Sequence, residues 1–512
     1  MATMLSEGAD SALTEAAVRW PRRCAVRDAR SSWSFAELNA RVNAFAAVVT
    51  ERTSEPGAVV AVSSPLDIEF IVGYYGTLRA GRIVAVLNPL MGEQVLLHNL
   101  NQVRPELCYL DPATLRRVGT VRSGLRFSMT LMRQGDPLVP AAGTGAPGPA
   151  VAGETVACYL FTSGTTGKPK TVVLSHRNLS VNAAQVAQAH QLTAESVSLN
   201  YLPSFHPMHL SSALHSGSTQ VLHLGADPAT AVARANEVRA SHFYTIPMRL
   251  NLLARHPNLA DLELPSVRLV ASGGSALAPA VARRLATHFR VPVIQGYGLA
   301  EAAPLVTSDR ADAPVPGSVG TAVSGTECRI VEVGSGRPVP PGQRGEVQVR
   351  GPQVMLGYLD QPAAGSPVDA DGWLSTGDLG RMDAEGVLFL VDRLKDTFKC
   401  DNWLVSPSDL QDELTTRPGI ADCAVFGLPD DTHGQVVAAM LVLEDGLTAA
   451  DATAILAEVA AGRPYYERVR RAVVVADLPR SANQKIDRRQ LCEQLLRGVG
   501  TPVELGDEGA PA

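Results

Sequence analysis

The chain has 512 residues, of which 46% are hydrophobic and 19% are charged, and its formal net charge is −6. These values predict a folded chain of two or more domains and exclude a disordered one. The negative net charge argues against a nucleic-acid-binding surface. No apolar run approaches the roughly 18 residues that a membrane span needs, and Glu7 and Asp10 stand where a signal peptide would be basic and then apolar. We therefore expect a cytoplasmic protein without a membrane span or a nucleic-acid partner.

The seven cysteines are dispersed along the chain, at positions 24, 108, 158, 328, 400, 423 and 492. None of them belongs to a CxxC pair. An odd, scattered set predicts reduced thiols in a cytosolic protein, and it argues against a disulfide framework or a zinc site.

The lysines are few and unevenly placed. Of the 45 basic residues five are lysines, at positions 168, 170, 395, 399 and 485, so the other 40 are arginines. A lysine differs from an arginine as a compact, flexible point charge. All five lysines fall inside the motifs described below. This placement favours a functional reason for keeping a lysine at these positions over chance.

The N-terminal part alternates short apolar runs with helical patterns, as a parallel α/β sheet does. Ser34 and Glu37 form a capping box that begins a helix. The apolar runs 59–62, 83–87 and 107–110 predict buried strands, with a helix over 66–79. Residues 134–153 are rich in Pro, Gly and Ala and predict a loop, and the same alternation resumes from 155 to about 306.

The C-terminal part changes pattern twice. Residues 317–350 and 371–391 predict short strands that form a small β-barrel or sheet, and residues 397–497 have their own alternation of helices and strands. The predicted fold class is α/β, with two βαβ-type subdomains and the small β-barrel in a large N-terminal domain. The expected boundaries are 1–392 for this domain, 393–396 for a hinge, 397–500 for a small mobile α+β domain and 501–512 for a disordered tail.

A segment rich in glycine, hydroxyl groups and lysine follows the strand predicted to end near Phe161. It consists of Thr162, Ser163, Gly164, Thr165, Thr166, Gly167, Lys168, Pro169 and Lys170. The glycines let backbone N–H groups converge on an anion, while the hydroxyls and lysines supply donors and charge, as a nucleoside triphosphate requires. The string does not fit GxxxxGK[ST]. A solvated turn of the same composition is the alternative.

Four further motifs follow in order: QGYGLAE at 295–301, STGD at 375–378, DRLKD at 392–396 and PRSANQKIDR at 479–488. Together with the loop, they resemble the motifs of the adenylate-forming superfamily, which includes acyl-CoA synthetases, peptide synthetase adenylation domains and luciferases. The resemblance covers roughly residues 12–495. It implies that a carboxylate attacks the α-phosphate of ATP to give an acyl-adenylate and pyrophosphate, and that a thiol, usually that of coenzyme A, then attacks the adenylate while the small domain rotates.

The resemblance also implies roles for individual residues. The 163–170 loop would hold the β- and γ-phosphates, Tyr297 would stack on adenine, and Glu301 would ligate Mg²⁺. Asp378 would accept hydrogen bonds from the ribose hydroxyls with help from Arg393. The remaining expected nucleotide and coenzyme A contacts are Gly274, Ser275, Gln295, Gly296, Gly298, Ala300, Leu390, Lys399, Asn402 and Trp403.

Three residues carry the chemistry implied by the resemblance. Lys485 would bridge the attacking carboxylate and the charge that develops at the α-phosphate, which is electrostatic stabilisation of a transition state. His206 would lie between the acid and the incoming thiol. Lys395 would be the hinge that absorbs the domain rotation.

Several positions depart from the family motifs. Ala300 replaces a threonine, Gln484 and Asn402 replace glycines, and Asp392 replaces the glycine before the hinge arginine. Losing one donor to a developing charge can cost about 3 kcal/mol of transition-state stabilisation. Ala300 and Gln484 fall on the adenylation half of the reaction, and Asn402 falls on the thioester half. The first two suggest the hypothesis that adenylation is weakened and that the enzyme depends on an acyl-adenylate made by a separate enzyme. Ordinary drift within a competent ligase is the alternative.

The acid pocket should involve His206, Tyr244, Gly273 and Gly298 with their neighbouring segments. Amino-acid-activating members carry an aspartate in the first segment, but none occurs between Leu202 and Leu222. We therefore expect an aryl, fatty or other apolar acid without an α-amine. The leading prediction is an acid–CoA ligase. An enzyme that passes the acyl group to a carrier-protein thiol or an amine, and a non-catalytic adenylate-binding protein, remain alternatives.

Overall fold

The computed structural model describes residues 8–136, 151–162, 169–202, 207–359, 361, 366–401, 403–479, 486 and 488–505. The helices are α1 (Ser11–Arg19), α2 (Phe35–Arg52), α3 (Ile68–Arg79), α4 (Glu93–Val103), α5 (Pro112–Val121), α6 (His176–Ala189), α7 (Pro207–Ser216), α8 (Pro228–Glu237), α9 (Pro247–Ala254), α10 (Pro279–Phe289), α11 (Pro407–Thr415), α12 (Ala449–Ala461) and α13 (Arg488–Leu496).

The strands before residue 300 are β1 (Cys24–Arg27), β2 (Ser32–Ser34), β3 (Val59–Ser63), β4 (Ile83–Val86), β5 (Leu107–Leu110), β6 (Thr130–Arg133), β7 (Val156–Thr162), β8 (Lys170–Ser175), β9 (Val197–Asn200), β10 (Thr219–Leu222), β11 (His242–Thr245), β12 (Leu269–Ser272) and β13 (Val293–Gly298). The later strands are β14 (Leu305–Ser308), β15 (Thr321–Ala322), β16 (Glu327–Val331), β17 (Arg344–Arg350), β18 (Gly357–Tyr358), β19 (Leu374–Met382), β20 (Leu388–Arg393), β21 (Phe398–Cys400), β22 (Trp403–Val405), β23 (Ile420–Asp430), β24 (Gly434–Leu443), β25 (Val469–Val474) and β26 (Thr501–Pro502).

The first sheet has the strand order β18-β8-β7-β4-β3-β5-β6. Strands β3 to β7 pair in parallel, and β8 pairs antiparallel with both β7 and β18. The apolar runs 59–62, 83–87 and 107–110 form three of these strands, as the sequence predicts. Their side chains are buried because helices cover the faces of a parallel sheet.

The second sheet has the order β15-β14-β13-β12-β11-β9-β10-β1-β2. Its central pairs, from β1 through β10, β9, β11 and β12 to β13, are all parallel. The carboxyl ends of these strands therefore lie at one edge, which is where open α/β sheets bind ligands. The predicted site residues Gly273, Gly274 and Ser275 follow β12, and the predicted residues 295–298 form the carboxyl end of β13.

The helix caps follow the sequence closely. Ser34 Oγ accepts a hydrogen bond from the Glu37 N–H at 3.3 Å, and Glu37 Oε2 accepts one from the Ser34 N–H at 2.8 Å, so the predicted capping box is present. Ser175 and Asn178 form a second box at the start of α6. Such boxes satisfy backbone N–H groups that have no partner in the first helical turn.

The third sheet has the order β16-β17-β19-β20. It forms where the sequence predicts a small β-barrel or sheet. The chain divides into two compact units, one comprising 1–329, 348–376 and 383–389 and the other 330–347, 377–382 and 390–512. The predicted domain boundary at residue 392 stays a prediction.

The second unit contains a sheet of the order β22-β21-β24-β25-β26, with β23 paired to β24. At the start of the tail that the sequence predicts to be disordered, the structure contains a short strand. Thr501 and Pro502 pair with Val474 and Val473, and Val503 is buried in the core of this unit. An apolar side chain that is removed from water holds the segment in place, and the rest of the tail, 506–512, lies outside the described residues.

Among the residues that the structure describes, no helix is long and apolar enough to cross a membrane.

The first unit contains a carboxylate whose burial is costly. Asp67 caps α3 by accepting from the Phe70 N–H at 3.1 Å, and burial raises its pKa to about 6. Folding therefore takes up a proton between pH 4 and 6, and the free energy of unfolding falls as the pH rises through this window.

We expect Asp67→Asn, which keeps the acceptor oxygen, to be more stable than the wild type by about 2 kcal/mol above pH 6. Most of the gain should be lost towards pH 4, because the wild-type carboxyl is then protonated in the folded state and about half protonated in the unfolded chain. Urea unfolding at pH 4, 6 and 8 measures this. A difference that does not change with pH would contradict the shifted pKa.

Candidate functional site

The predicted phosphate loop is bounded by two paired strands. Thr162 ends β7 and Lys170 begins β8, and the two residues are partners in the antiparallel ladder. The loop residues Ser163 to Lys168 lie outside the described residues, so their roles stay predictions. The pairing brings both ends of the loop together, as a turn that surrounds an anion requires.

Glu301 lies in a short 3₁₀ turn, Ala300–Ala302, directly after β13. The Tyr358 hydroxyl donates a hydrogen bond to Glu301 Oε1 at 2.8 Å, and the Met355 N–H donates to the Glu301 carbonyl oxygen at 2.8 Å. The Lys170 ammonium lies 4.6 Å from the centre of the Tyr358 ring. One tyrosine thus contacts both a carboxylate and a cation next to the phosphate loop.

The Tyr358 phenol is a permanent donor in this arrangement. Burial, together with the negative charge of Glu301 and the hydrogen bond to it, raises the pKa of the phenol above its ordinary value. A neutral phenol has one O–H to donate. The Tyr358 phenol therefore keeps its proton and donates a hydrogen bond to Glu301.

The ends of β12 and β13 approach closely. A Cβ on Gly273 would lie 3.3 Å from the Gly296 carbonyl oxygen, and one on Gly298 would lie 2.4 Å from the Pro304 carbonyl oxygen. Gly298 must therefore be a glycine in this backbone. Gln295 Oε1 accepts from the Leu277 N–H at 2.9 Å and ties the two loops together.

The other predicted residues of these loops differ in exposure. Gly274 has a φ of +89°, which favours glycine, and Ser275 follows it on the exposed loop. Tyr297 is only 7% exposed, so most of its ring lies inside the fold. One face at most could contact a nucleotide.

Tyr244, predicted to line the acid pocket, is a buried residue at the carboxyl end of β11. Its hydroxyl lies 3.1 Å from His190 Nδ1, and its ring centre lies 4.3 Å from that of His209. Burial raises the pKa of Tyr244 and lowers that of His190 to about 3. Both side chains are therefore neutral and act as packing and hydrogen-bonding groups. His206 lies outside the described residues.

Asp378 and Arg393, which the sequence assigns to the ribose, are close together in the second unit. Arg393 Nε lies 3.4 Å from Asp378 Oδ1, and Asp378 is only 7% exposed whereas Arg393 is exposed. Gly377 precedes the aspartate with a φ of +71°, and its N–H donates to Glu346 Oε1 at 3.2 Å. Leu390 lies in β20 and is half-buried.

The departure at Asp392 has a clear structural role. Its Oδ2 accepts from the Ser408 N–H at 2.9 Å and from Ser406 Oγ at 3.0 Å. Since Ser406 makes no side-chain cap at the start of α11, Asp392 provides that cap from outside the helix. Asp396 forms an ion pair with Arg488 at 3.1 Å. Lys395, which directly precedes Asp396, is exposed.

Asp401, which lies beside the expected coenzyme A contact Lys399, belongs to a short polar chain. Asp401 lies 2.8 Å from His433 Nδ1, and Arg470 Nη1 lies 3.2 Å from His433 Nε2. Trp403 is 56% exposed and stacks on Tyr466 with a ring-centre distance of 5.2 Å. Lys399 is exposed on β21, and Asn402 lies outside the described residues.

Tyr358 and the polar chain at Asp401 lie outside the residues that the sequence motifs predict for the site. Tyr358 lies some 60 residues from Glu301 in the chain, so no local pattern joins them. Lys485 and Gln484 also lie outside the described residues. In the part of the chain that is described, no three His, Cys, Asp or Glu side chains form a group that could hold a metal ion.

The chain matches known sequence families over most of its length. The profile of the AMP-binding enzyme family matches residues 13–359, and that of the AMP-binding enzyme C-terminal domain matches residues 410–485. The chain belongs to the AMP-binding enzyme family. It is 32% identical over 432 residues to a feruloyl-CoA synthase of an Amycolatopsis species, covering 83% of this chain and 87% of that relative.

Two solved structures show the same fold. ATP-bound MatB from Rhodopseudomonas palustris has a TM-score of 0.87 at 25% identity, covering 95% of this chain and 99% of that one. The amide bond synthetase McbA from Marinactinospora thermotolerans has a TM-score of 0.86 at 25% identity with the same coverage. The predicted superfamily, the α/β fold class and the enzyme class, a ligase of the acyl-CoA synthetase type, are confirmed.

We expect Asp392→Ala to lower the free energy of unfolding of the second unit by about 1 kcal/mol, because α11 loses its cap. Denaturant unfolding followed by the fluorescence of Trp403 measures this. Asp445→Ala, at an exposed aspartate of the same unit, is the matched control and should stay within about 0.5 kcal/mol of the wild type. Equal effects of the two substitutions would contradict the capping role.

Proposed function

We propose that the protein is an acid–CoA ligase that activates an aryl or other apolar carboxylic acid without an α-amine as its acyl-adenylate. The observation that carries the proposal is the contact of Tyr358 with both Glu301 and Lys170 at the end of the predicted phosphate loop. A carboxylate and a cation placed beside a glycine-rich loop are the groups that a metal-bound triphosphate needs.

Adenylation joins the acid to the α-phosphate of ATP. A carboxylate oxygen of the acid attacks the α-phosphorus of ATP, the bond to the bridging oxygen breaks, and pyrophosphate leaves. Residues 163–170 hold the departing phosphates, and Lys485 approaches the α-phosphate to offset its growing negative charge. Tyr297 and Asp378 orient the adenosine.

The donor set near Glu301 fits Mg²⁺. Magnesium usually takes one or two protein carboxylates and completes its shell with substrate phosphates and water. Glu301 offers one carboxylate, and one of its oxygens is occupied by Tyr358. When bound, the metal would neutralise phosphate charge, and the residues of the chain would orient the groups that react.

Thioester formation needs the small domain. The thiol sulfur of coenzyme A attacks the acyl carbon of the adenylate, and AMP leaves with the bonding pair. The proposed roles are contact with the thiol for Lys399, Asn402 and Trp403, a gate between the thiol and the acid for His206, and the hinge for Lys395. The exposed indole of Trp403 and the charge of Lys399 support a contact with a long polar acceptor.

The acid is proposed from the pocket and from similarity. No aspartate lies between Leu202 and Leu222 to pair an α-ammonium group, and Tyr244 and His190 are neutral. The similarity to a feruloyl-CoA synthase favours an aryl acid. The similarity to an amide bond synthetase keeps an amine acceptor as the second candidate.

Ala300 supports the further proposal that adenylation is the weaker half-reaction. Its methyl group has no hydrogen to donate to the α-phosphate at a position where the superfamily uses a hydroxyl. The enzyme would then work best on an acyl-adenylate that a separate enzyme supplies. A chain that only binds adenylates is the remaining alternative.

Two parallel assays over a panel of aryl and fatty acids test the function. One follows pyrophosphate release from ATP and acid, and the other follows AMP and thioester formation from pre-made acyl-adenylate and coenzyme A. We expect thioester formation in the second assay for at least one aryl acid. Transfer to amines but not to coenzyme A would favour the second candidate, and no turnover in either assay would reject the ligase.

We expect Ala300→Thr to raise the rate of pyrophosphate release by about 10-fold to 100-fold, because one donor to the developing charge is restored. The rate of thioester formation from pre-made adenylate should not change. Ala302→Thr, in the same turn but buried, is the control for a general effect of threonine. No gain in Ala300→Thr would contradict the proposed weakness.

We expect Lys485→Ala to reduce pyrophosphate release by at least 100-fold while thioester formation from the adenylate persists, because only the first step places charge near this ammonium group. Stopped-flow assays of both half-reactions measure this. Unchanged turnover in both would remove Lys485 from the mechanism.

A further inference from the structure

We propose that Tyr358 is a positioning residue that sets the orientation of the Glu301 carboxylate and the place of the Lys170 ammonium for metal-bound ATP. The inference rests on the proposed function and names a residue that no motif of the sequence contains. Three separate contacts of the described residues support it.

The first contact is the hydrogen bond from the Tyr358 hydroxyl to Glu301 Oε1 at 2.8 Å. A carboxylate rotates about its last side-chain bond unless one of its oxygens is held. With Oε1 engaged, Oε2 is the oxygen that remains to bind a cation. A partner behind a metal ligand fixes the ligand's orientation in this way, and its loss typically weakens metal binding by about 10-fold to 100-fold.

The second contact is that of the Lys170 ammonium with the face of the Tyr358 ring, 4.6 Å from its centre. A cation over an aromatic face is attracted by the negative charge of the ring face. Lys170 is also only partly buried. Tyr358 thus contacts a carboxylate through its hydroxyl and a cation through the face of its ring.

The third set of contacts fixes the tyrosine itself. Gly357 and Tyr358 pair antiparallel with Val173 and Val172 of β8. The Leu359 N–H donates to the Thr171 carbonyl oxygen at 2.9 Å. The Met355 N–H donates to the Glu301 carbonyl oxygen, so the same short segment holds Glu301 through both its backbone and its side chain.

Tyr358→Phe isolates the hydroxyl, because the ring and its contact with Lys170 remain. We expect the affinity for Mn²⁺ in the presence of ATP and without acid, measured by electron paramagnetic resonance, to fall by about 10-fold to 100-fold. The Mg²⁺ concentration for half-maximal pyrophosphate release should rise by the same factor. Thioester formation from pre-made acyl-adenylate should stay within about twofold, since that step involves no triphosphate.

Tyr201→Phe is the matched control. The Tyr201 hydroxyl donates to the Ala226 carbonyl oxygen at 3.0 Å in the same unit, so this change also removes one phenol hydrogen bond. It should leave the Mn²⁺ affinity unchanged. Unchanged Mn²⁺ affinity in Tyr358→Phe, or an equal loss in both half-reactions, would overturn the proposal.

A double-mutant cycle with Glu301→Gln adds an independent test. If Tyr358 acts through Glu301, the double variant should bind Mn²⁺–ATP no more weakly than Glu301→Gln alone. Additive losses would overturn the proposal. Because metal–ATP binding needs neither acid nor thiol, a wild-type chain that binds Mn²⁺–ATP but forms no thioester would reject the ligase and still leave these results decisive for Tyr358.

Discussion

The backbone pairing of β8 is the constraint on which the proposed ATP site depends. One edge of β8 pairs with β7 and thereby closes the phosphate loop, while the other edge pairs with β18 and thereby places Tyr358. β7 and β8 are joined by the loop itself, whereas β18 comes from a distant part of the chain. Hydrogen bonds between the strands set their register to within one residue. A slip by one residue would turn Tyr358 to the other face and leave Glu301 and Lys170 without their common partner.

The parallel sheets provide the second constraint. Because their carboxyl ends share an edge, the loops after β12 and β13 meet without a long excursion of the chain. Gly273 permits this approach, since a Cβ there would lie 3.3 Å from the Gly296 carbonyl oxygen. Gly298 permits the close turn between β13 and β14, since a Cβ there would meet the Pro304 carbonyl oxygen. The backbone thus gives this part of the proposed site its shape, and single side chains such as Glu301 and Lys170 supply its charge.

Much of the fold could be predicted from the sequence because the signals are local. The capping box at Ser34 and the apolar runs of β3, β4 and β5 each specify an element within a few residues. The contact of Tyr358 with Glu301 could not be predicted, since it depends on the register of a two-residue strand. The cap that Asp392 gives to α11 was equally hidden, because its partners follow 14 and 16 residues later. The strand at Thr501 could not be predicted from the tail alone, because it forms by pairing with the edge of β25.

The central claim is that the acid reacts through an acyl-adenylate, and an isotope transfer tests it most directly. An accepted acid with ¹⁸O in both carboxylate oxygens is incubated with ATP, Mg²⁺ and coenzyme A, and the AMP and pyrophosphate are analysed by mass spectrometry. If a carboxylate oxygen attacks the α-phosphorus, one ¹⁸O per turnover appears in AMP and none in pyrophosphate. Thioester formed with unlabelled AMP would contradict the account.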